Sequence, residues 1–212
     1  RRFDESRTLD HIAERGEFHD GLVLKIADTV LNTHRAAPPA DAQAWLSALR
    51  SIIQQNCGEL SARADLFSQA DIDALTASSI AAYDRVYDLL RARGDSGFIR
   101  HLHGDLHLGN IVLLEDNPVL FDAIEFDPLF AAGDVFYDLA FLLMDLRERG
   151  LAAAASWLFN RYLEQSAESR HLDALAALGP VEHASFREAM RLLTGAALAE
   201  ALEGVAVFVT EI

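Results

Sequence analysis

The stretch His101-Leu-His103-Gly-Asp105-Leu-His107-Leu-Gly-Asn110-Ile-Val-Leu-Leu114-Glu-Asp-Asn-Pro118-Val-Leu-Phe121-Asp122-Ala-Ile-Glu125-Phe-Asp127 decides how the rest of this chain is read. Two short apolar runs, 111–114 and 119–121, flank Glu115-Asp-Asn-Pro118, a connection rich in turn residues. That pattern predicts a β-hairpin. Asn110 stands just before the outgoing strand and Asp122 just after the returning one, so antiparallel pairing brings them side by side. Asp105 lies on the loop that feeds the hairpin. The three residues can therefore place one carboxylate on a hydroxyl and two oxygen ligands on a metal ion.

Outside it the sequence turns helical. Apolar positions recur at helical spacing over 4–15, 20–35, 41–56 and 71–93 before it. After it the same signal covers 134–149, 151–167, 171–178 and 182–203. Leu22, Val23, Ile26, Ala27, Val30, Leu31 and His34 share one predicted face. So do Ala42, Trp45, Leu46, Leu49, Ile52 and Ile53, and likewise Ile72, Leu75, Tyr83, Val86, Tyr87 and Leu90. Asp4 or Ser6, Asp71 and Asp134 are the expected N-caps, and Gly16, Gly94 and Gly150 the expected stops. The last apolar run, within 204–212, fits none of these elements. The expected class is α+β, mainly α, with one small central hairpin. The chain divides into a helical part at 1–97, a catalytic loop, hairpin and metal loop at 98–140, and C-terminal helices at 141–212, all within a single domain.

Composition limits the function. Half of the 212 residues are apolar, enough for a sizeable core, and no run is long enough to span a membrane. A net charge of −15 argues against a nucleic-acid partner. The single cysteine, Cys57, excludes an internal disulfide and fits a reducing, cytoplasmic setting. Lys25 is the only lysine, and no glycine-rich phosphate loop is present.

The spacing His103-x-Asp105-x-x-x-x-Asn110 has the form of a kinase catalytic loop. In such a loop the aspartate orients the attacking hydroxyl and accepts its proton, and the asparagine offers a neutral oxygen to Mg²⁺. Asp122 can serve as the second metal ligand. Glu125 and Asp127 are either auxiliary ligands or solvated loop charges. His103 and His107 join Asp105 as candidate catalytic residues. His103 is either a base or, more in keeping with loop histidines, a structural side chain bonding backbone. His107 either touches a transferred phosphate or caps the loop. His101 is expected to pack. Asp138 is placed to reach back and hold the loop.

His103-Gly-Asp105-Leu-His107-Leu-Gly-Asn110, with Leu120-Phe-Asp122-Ala-Ile-Glu125 and Gly133-Asp134-Val-Phe-Tyr-Asp138-Leu-Ala140, resembles the aminoglycoside phosphotransferase and choline kinase group of protein kinase-like enzymes. More narrowly it is similar to bacterial aminoglycoside-phosphotransferase-like proteins in which this domain precedes a P-loop ATPase module. The resemblance implies an ATP- and Mg²⁺-dependent transfer to a small-molecule hydroxyl, with Asp105 as base, Asn110 and Asp122 as metal ligands, and Asp138 as anchor of the loop. The group's N-terminal lobe, with its phosphate-covering loop and strand lysine, has no counterpart here. The expectation is thus a C-terminal lobe whose ATP binding is incomplete and whose kinase activity is small or nil. The surface that would meet that lobe is expected to be apolar and open to self-association as a homodimer. Glu164, Glu168, Asp173 and Glu182 either receive a cationic acceptor or are solvated faces. Two other readings stand beside this one. His101-x-His103-x-Asp105-x-His107 suggests a zinc-dependent hydrolase, and a lobe without its nucleotide clamp could be a binding module.

Overall fold

The computed structural model describes residues 4–62, 68–125 and 131–166. They form six helices and two small antiparallel strand pairs: α1 (Leu9–Glu14), α2 (Asp20–Ala36), α3 (Ala42–Ser61), α4 (Gln69–Asp95), β1 (Ile99–His101), β2 (Ile111–Leu114), β3 (Asn117–Leu120), β4 (Ala132–Asp134), α5 (Val135–Glu148) and α6 (Ala152–Gln165). The mainly helical α+β class is as expected. Predicted helices 171–178 and 182–203, the 204–212 tail and Asp127 lie outside the described residues, as does the side chain of Val86.

The core is built by the most regular stripes. All seven apolar-face positions of α2 are buried, and the stripe Phe136, Leu139, Ala140, Leu142, Leu143 and Leu146 of α5 is buried with them. Leu158, Phe159, Tyr162 and Leu163 of α6 close over both helices. Each such leucine withdrawn from water contributes about 1.5–3 kcal/mol. His34 is the polar member of the α2 stripe, and the Tyr162 hydroxyl meets its Nδ1 at 2.8 Å.

The hairpin is tighter than the sequence suggests. β2 pairs with β3 from Ile111 opposite Leu120 to Leu114 opposite Asn117, leaving a two-residue turn, Glu115-Asp116. Both turn residues have positive φ, 51° and 62°, the geometry of a type I′ turn that glycine and asparagine usually occupy. Side chains from distant elements hold it. Lys25 Nζ donates to the Asp116 carbonyl, Arg7 NH2 to the Asp116 carboxylate and Arg7 Nε to the Leu113 carbonyl. Lys25 is thus exposed but tethered.

Other boundaries moved for identifiable reasons. The predicted 4–15 helix splits into a 3-10 turn at Glu5–Arg7, capped by Asp4, and α1, because Thr8 bridges to Val112 of the hairpin. Ser68, not Asp71, caps α4, accepting the Asp71 N–H while its hydroxyl donates to the Asp71 carboxylate. Gly94 does not stop that helix. A Cβ there would lie 2.5 Å from Ala42 Cβ, so the glycine permits α3 and α4 to approach, and Gly97 at φ +80° makes the turn. Leu75 and Ile52, predicted buried, are 48% and 37% exposed.

The pairing of β1 with β4 was not foreseen, and it matters most to the site. It sets Ile99 opposite Asp134 and His101 opposite Ala132, so the strand entering the loop lies beside the start of α5. Asp134 caps α5 through the Phe136 N–H and also forms a buried two-point pair with Arg93, at 2.5 and 2.7 Å. The guanidinium lies between the Phe98 and Phe136 rings.

Candidate active site

The loop 103–110 is held from behind by α5. Asp138, 1% exposed, accepts the backbone N–H groups of His103 and Gly104, each at 2.9 Å. His34 Nε2 stands 3.5 Å from the same carboxylate. Charged acceptors on buried amides are among the stronger neutral-to-ion hydrogen bonds, so the entry to the loop is fixed. Gly104 takes φ +83°, and a Cβ there would press within 3.0 Å of Ile124. That conformation turns the chain so that Asp105 faces outward, its side chain 52% exposed.

Asp105, Asn110 and His107 are brought together. Asn110 is buried, and its Nδ2 donates to the Asp105 carbonyl at 2.9 Å and reaches the Asp105 carboxylate Oδ2 at 3.3 Å. The amide is thereby oriented, with Oδ1 as its free acceptor among the described contacts. His107 caps the short 3-10 turn Leu108–Asn110: its Nδ1 accepts the Gly109 N–H at 3.1 Å. The proton then sits on Nε2, which leans toward Asp105 Oδ2 at 3.6 Å. His107 caps the loop; nothing in its contacts requires a phosphate.

Asp122 arrives as the hairpin predicted. The Phe121 N–H donates to the Asn110 carbonyl at 3.0 Å, one step beyond the last strand pair, so Asp122 follows directly beside Asn110. Its backbone is left-handed, φ +61°. That is a strained choice for a residue with a Cβ, of the kind that clusters at functional sites. Its carboxylate is exposed. Glu125 is exposed too, and shares with Asp122 the lining of a cleft of about 570 Å³ that His34, His101 and His103 also border.

The remaining histidines take different places. His103 is buried, its Nε2 2.7 Å from the Phe121 carbonyl and its Nδ1 without a hydrogen-bond partner. Its main chain also accepts the Ile124 N–H at 2.8 Å. It ties the loop to the segment carrying Asp122. His101, expected to pack, is exposed. Among the described residues no three His, Cys, Asp or Glu side chains gather closely enough to hold a metal ion. The His101, His103 and His107 rings do not converge as a zinc hydrolase would need, because two of them are spent on backbone groups.

The oxygens at Asn110 and Asp122 do fit a hard divalent cation. Mg²⁺ takes one or two protein oxygens and fills its other positions with water and phosphate, and Asn110 Oδ1 with the exposed Asp122 carboxylate supplies that number.

Two contacts the sequence did not signal lie at the far end of the loop. Asp145 accepts the Leu108 N–H at 2.8 Å and is itself held by Arg149 Nε at 2.7 Å. That bond to Asp145 is the chief reason the Arg149 pKa is raised. On the other side Asp10 of α1 faces Gly109. Burial pushes the Asp10 carboxyl up, but hydrogen bonds from Thr8 and His11 outweigh it and hold it below the usual carboxylate range. Of the acidic residues considered for a cationic acceptor, Glu164 is 71% exposed and pairs with Arg161, a solvated face. Glu168, Asp173 and Glu182 lie outside the described residues.

Residues 6–178 match the model of the phosphotransferase enzyme family. Uncharacterised proteins of Mycobacterium tuberculosis and Mycobacterium bovis are 25% identical over 173 residues, covering 80% of this chain and 35% of theirs. The chain thus spans little more than a third of the curated relatives it matches. Two glucosamine kinase structures, one described as crystal form B and one in complex with glucosamine, ADP and inorganic phosphate, align with a TM-score of 0.42 at 18% identity. They cover 98% of this chain and 57% and 60% of their own. Among the described residues no helix is long and apolar enough to cross a membrane.

Proposed function

The chain belongs to the phosphotransferase enzyme family, and we propose that it supplies the base and metal half of a site transferring a phosphoryl group from ATP to the hydroxyl of a small molecule. The observation that carries this reading is the bonding of Asn110 to Asp105 with Asp122 delivered beside them by the hairpin. In phosphoryl transfer there is little covalent work for the protein. Positioning and charge stabilisation supply most of the rate.

Each residue then has one task. The Asp105 carboxylate, half exposed and with Oδ2 steadied by Asn110 and His107, would hold the acceptor hydroxyl and take its proton as the oxygen–phosphorus bond forms. Asn110 Oδ1 and Asp122 would hold Mg²⁺. When bound, the ion would offset charge on the phosphate oxygens as the nucleotide's bridging bond breaks. Asp138 and His103 would keep these groups in register from behind.

These 212 residues carry no glycine-rich phosphate loop, and their only lysine, Lys25, is committed to the hairpin turn. We therefore assign the nucleotide clamp to sequence outside them, in keeping with relatives more than twice as long, and activity to the whole protein. The test is ATP-dependent turnover by the intact gene product against a panel of aminoalcohols, sugars and aminoglycosides. Asp105→Asn should lower kcat by roughly 10²–10⁴-fold without unfolding the protein. Unchanged turnover in that variant would refute Asp105 as base, and robust turnover by the 212 residues alone would refute the missing clamp.

A further inference from the structure

We propose that Asp145 is a positioning residue for the metal-holding end of the loop, a role that rests on the phosphotransferase reading above. Asp138 and Asp145 are seven residues apart on α5, two helical turns and about 10 Å along one face. Asp138 takes the N–H groups of His103 and Gly104, and Asp145 takes that of Leu108. One helix therefore latches both ends of the loop, with Asp105 carried between them.

The second latch acts on the turn that carries Asn110. Leu108 opens the 3-10 turn that ends at Asn110, and its side chain is fully buried. Its N–H has Asp145 as acceptor, and Arg149, which also approaches Glu14 at 4.0 Å, fixes the other carboxylate oxygen. Asp10 confines Gly109 from the opposite side. The turn is thus held between α1 and α5, and its one outward product is the direction of the Asn110 amide. Asp145 touches neither metal nor substrate; it acts through the Leu108 amide. Residues in this position behind a metal ligand commonly change metal affinity about 10–100-fold when removed.

Two readings in the intact protein test this, neither requiring turnover: Mn²⁺ affinity by electron paramagnetic titration, and amide exchange of the segment 106–110. Asp145→Ala should raise the Mn²⁺ dissociation constant about tenfold or more and speed exchange at Leu108. Asp145→Asn, which keeps an oxygen for that N–H, should stay near the wild type in both. Wild-type Mn²⁺ affinity in a folded Asp145→Ala variant would overturn the proposal. If Asp145→Ala does not fold, the Asn variant decides: weakened Mn²⁺ with a still-protected Leu108 amide would separate the latch from the metal and equally overturn it. If the wild-type protein binds no Mn²⁺ that Asp122→Ala abolishes, the metal reading fails instead, and with it the metal part of this role; the exchange reading alone then shows whether the latch exists.

Discussion

Removing the Asp138 carboxylate should cost about as much stability as truncating a large buried apolar side chain nearby. In Asp138→Ala two backbone N–H donors, those of His103 and Gly104, lose acceptors at 2.9 Å, and with the aspartate 1% exposed little water can replace them. An unpaired buried donor costs about 1–3 kcal/mol, so the two together with the small void give about 3–5 kcal/mol. Domains of this kind are commonly stable by about 5–15 kcal/mol, so the variant should be folded but visibly weakened. Asp138→Asn is the informative partner. Its amide keeps one oxygen for one N–H and turns an NH₂ toward the other, so about half the cost should remain. Urea unfolding followed by far-ultraviolet circular dichroism reads both, from midpoints at a common slope. A loss below about 1 kcal/mol in Asp138→Ala, or equal losses in the two variants, would refute the claim that the carboxylate holds the loop by those two bonds.

Two further perturbations follow from the same geometry. Gly104→Ala should destabilise by about 1–2 kcal/mol from its positive φ alone, with a further steric part against Ile124. In an Ile124→Ala background the steric part should vanish and the conformational part persist, by the same unfolding assay. Arg93→Ala leaves Asp134 buried without its partner and should cost about 3–5 kcal/mol. Arg93→Met with Asp134→Leu should recover most of that, short of about 1 kcal/mol for the lost N-cap of α5.

What could be read from the sequence was what is encoded locally. The α2 and α5 stripes repeat at helical spacing, so their buried faces were legible residue by residue. The interval from His103 to Asn110 and the presence of a hairpin were legible for the same reason, although its turn has two residues and not four. The misplacements arose where a distant partner decides. Glu115 and Asp116 are poor residues for a type I′ turn until Arg7 and Lys25 are seen to hold it. Gly94 looks like a helix stop until Ala42 is found against it. Arg93 and Asp134 look like a helix end and a cap, and only the β1–β4 pairing shows that they meet.

The latches on α5 carry this point into the site itself. A group that must meet a hydroxyl or a cation has to leave its oxygen unsatisfied, so Asp105 is exposed, Asn110 Oδ1 is free, and Asp122 sits in a strained left-handed conformation. None of these arrangements stabilises its own loop; a loop left to itself would turn those oxygens onto its own amides. Here the amides are already taken. His103 and Gly104 N–H go to Asp138, Leu108 N–H to Asp145, and Gly109 N–H to His107. With four of the loop's donors occupied from outside or by the capping imidazole, the competing internal bonds are removed and the functional oxygens face outward. On this argument the aspartates of α5 matter because they are far away in sequence. The helix is fixed by its own buried stripe, and a carboxylate on it accepts the amide without being drawn into the site it supports.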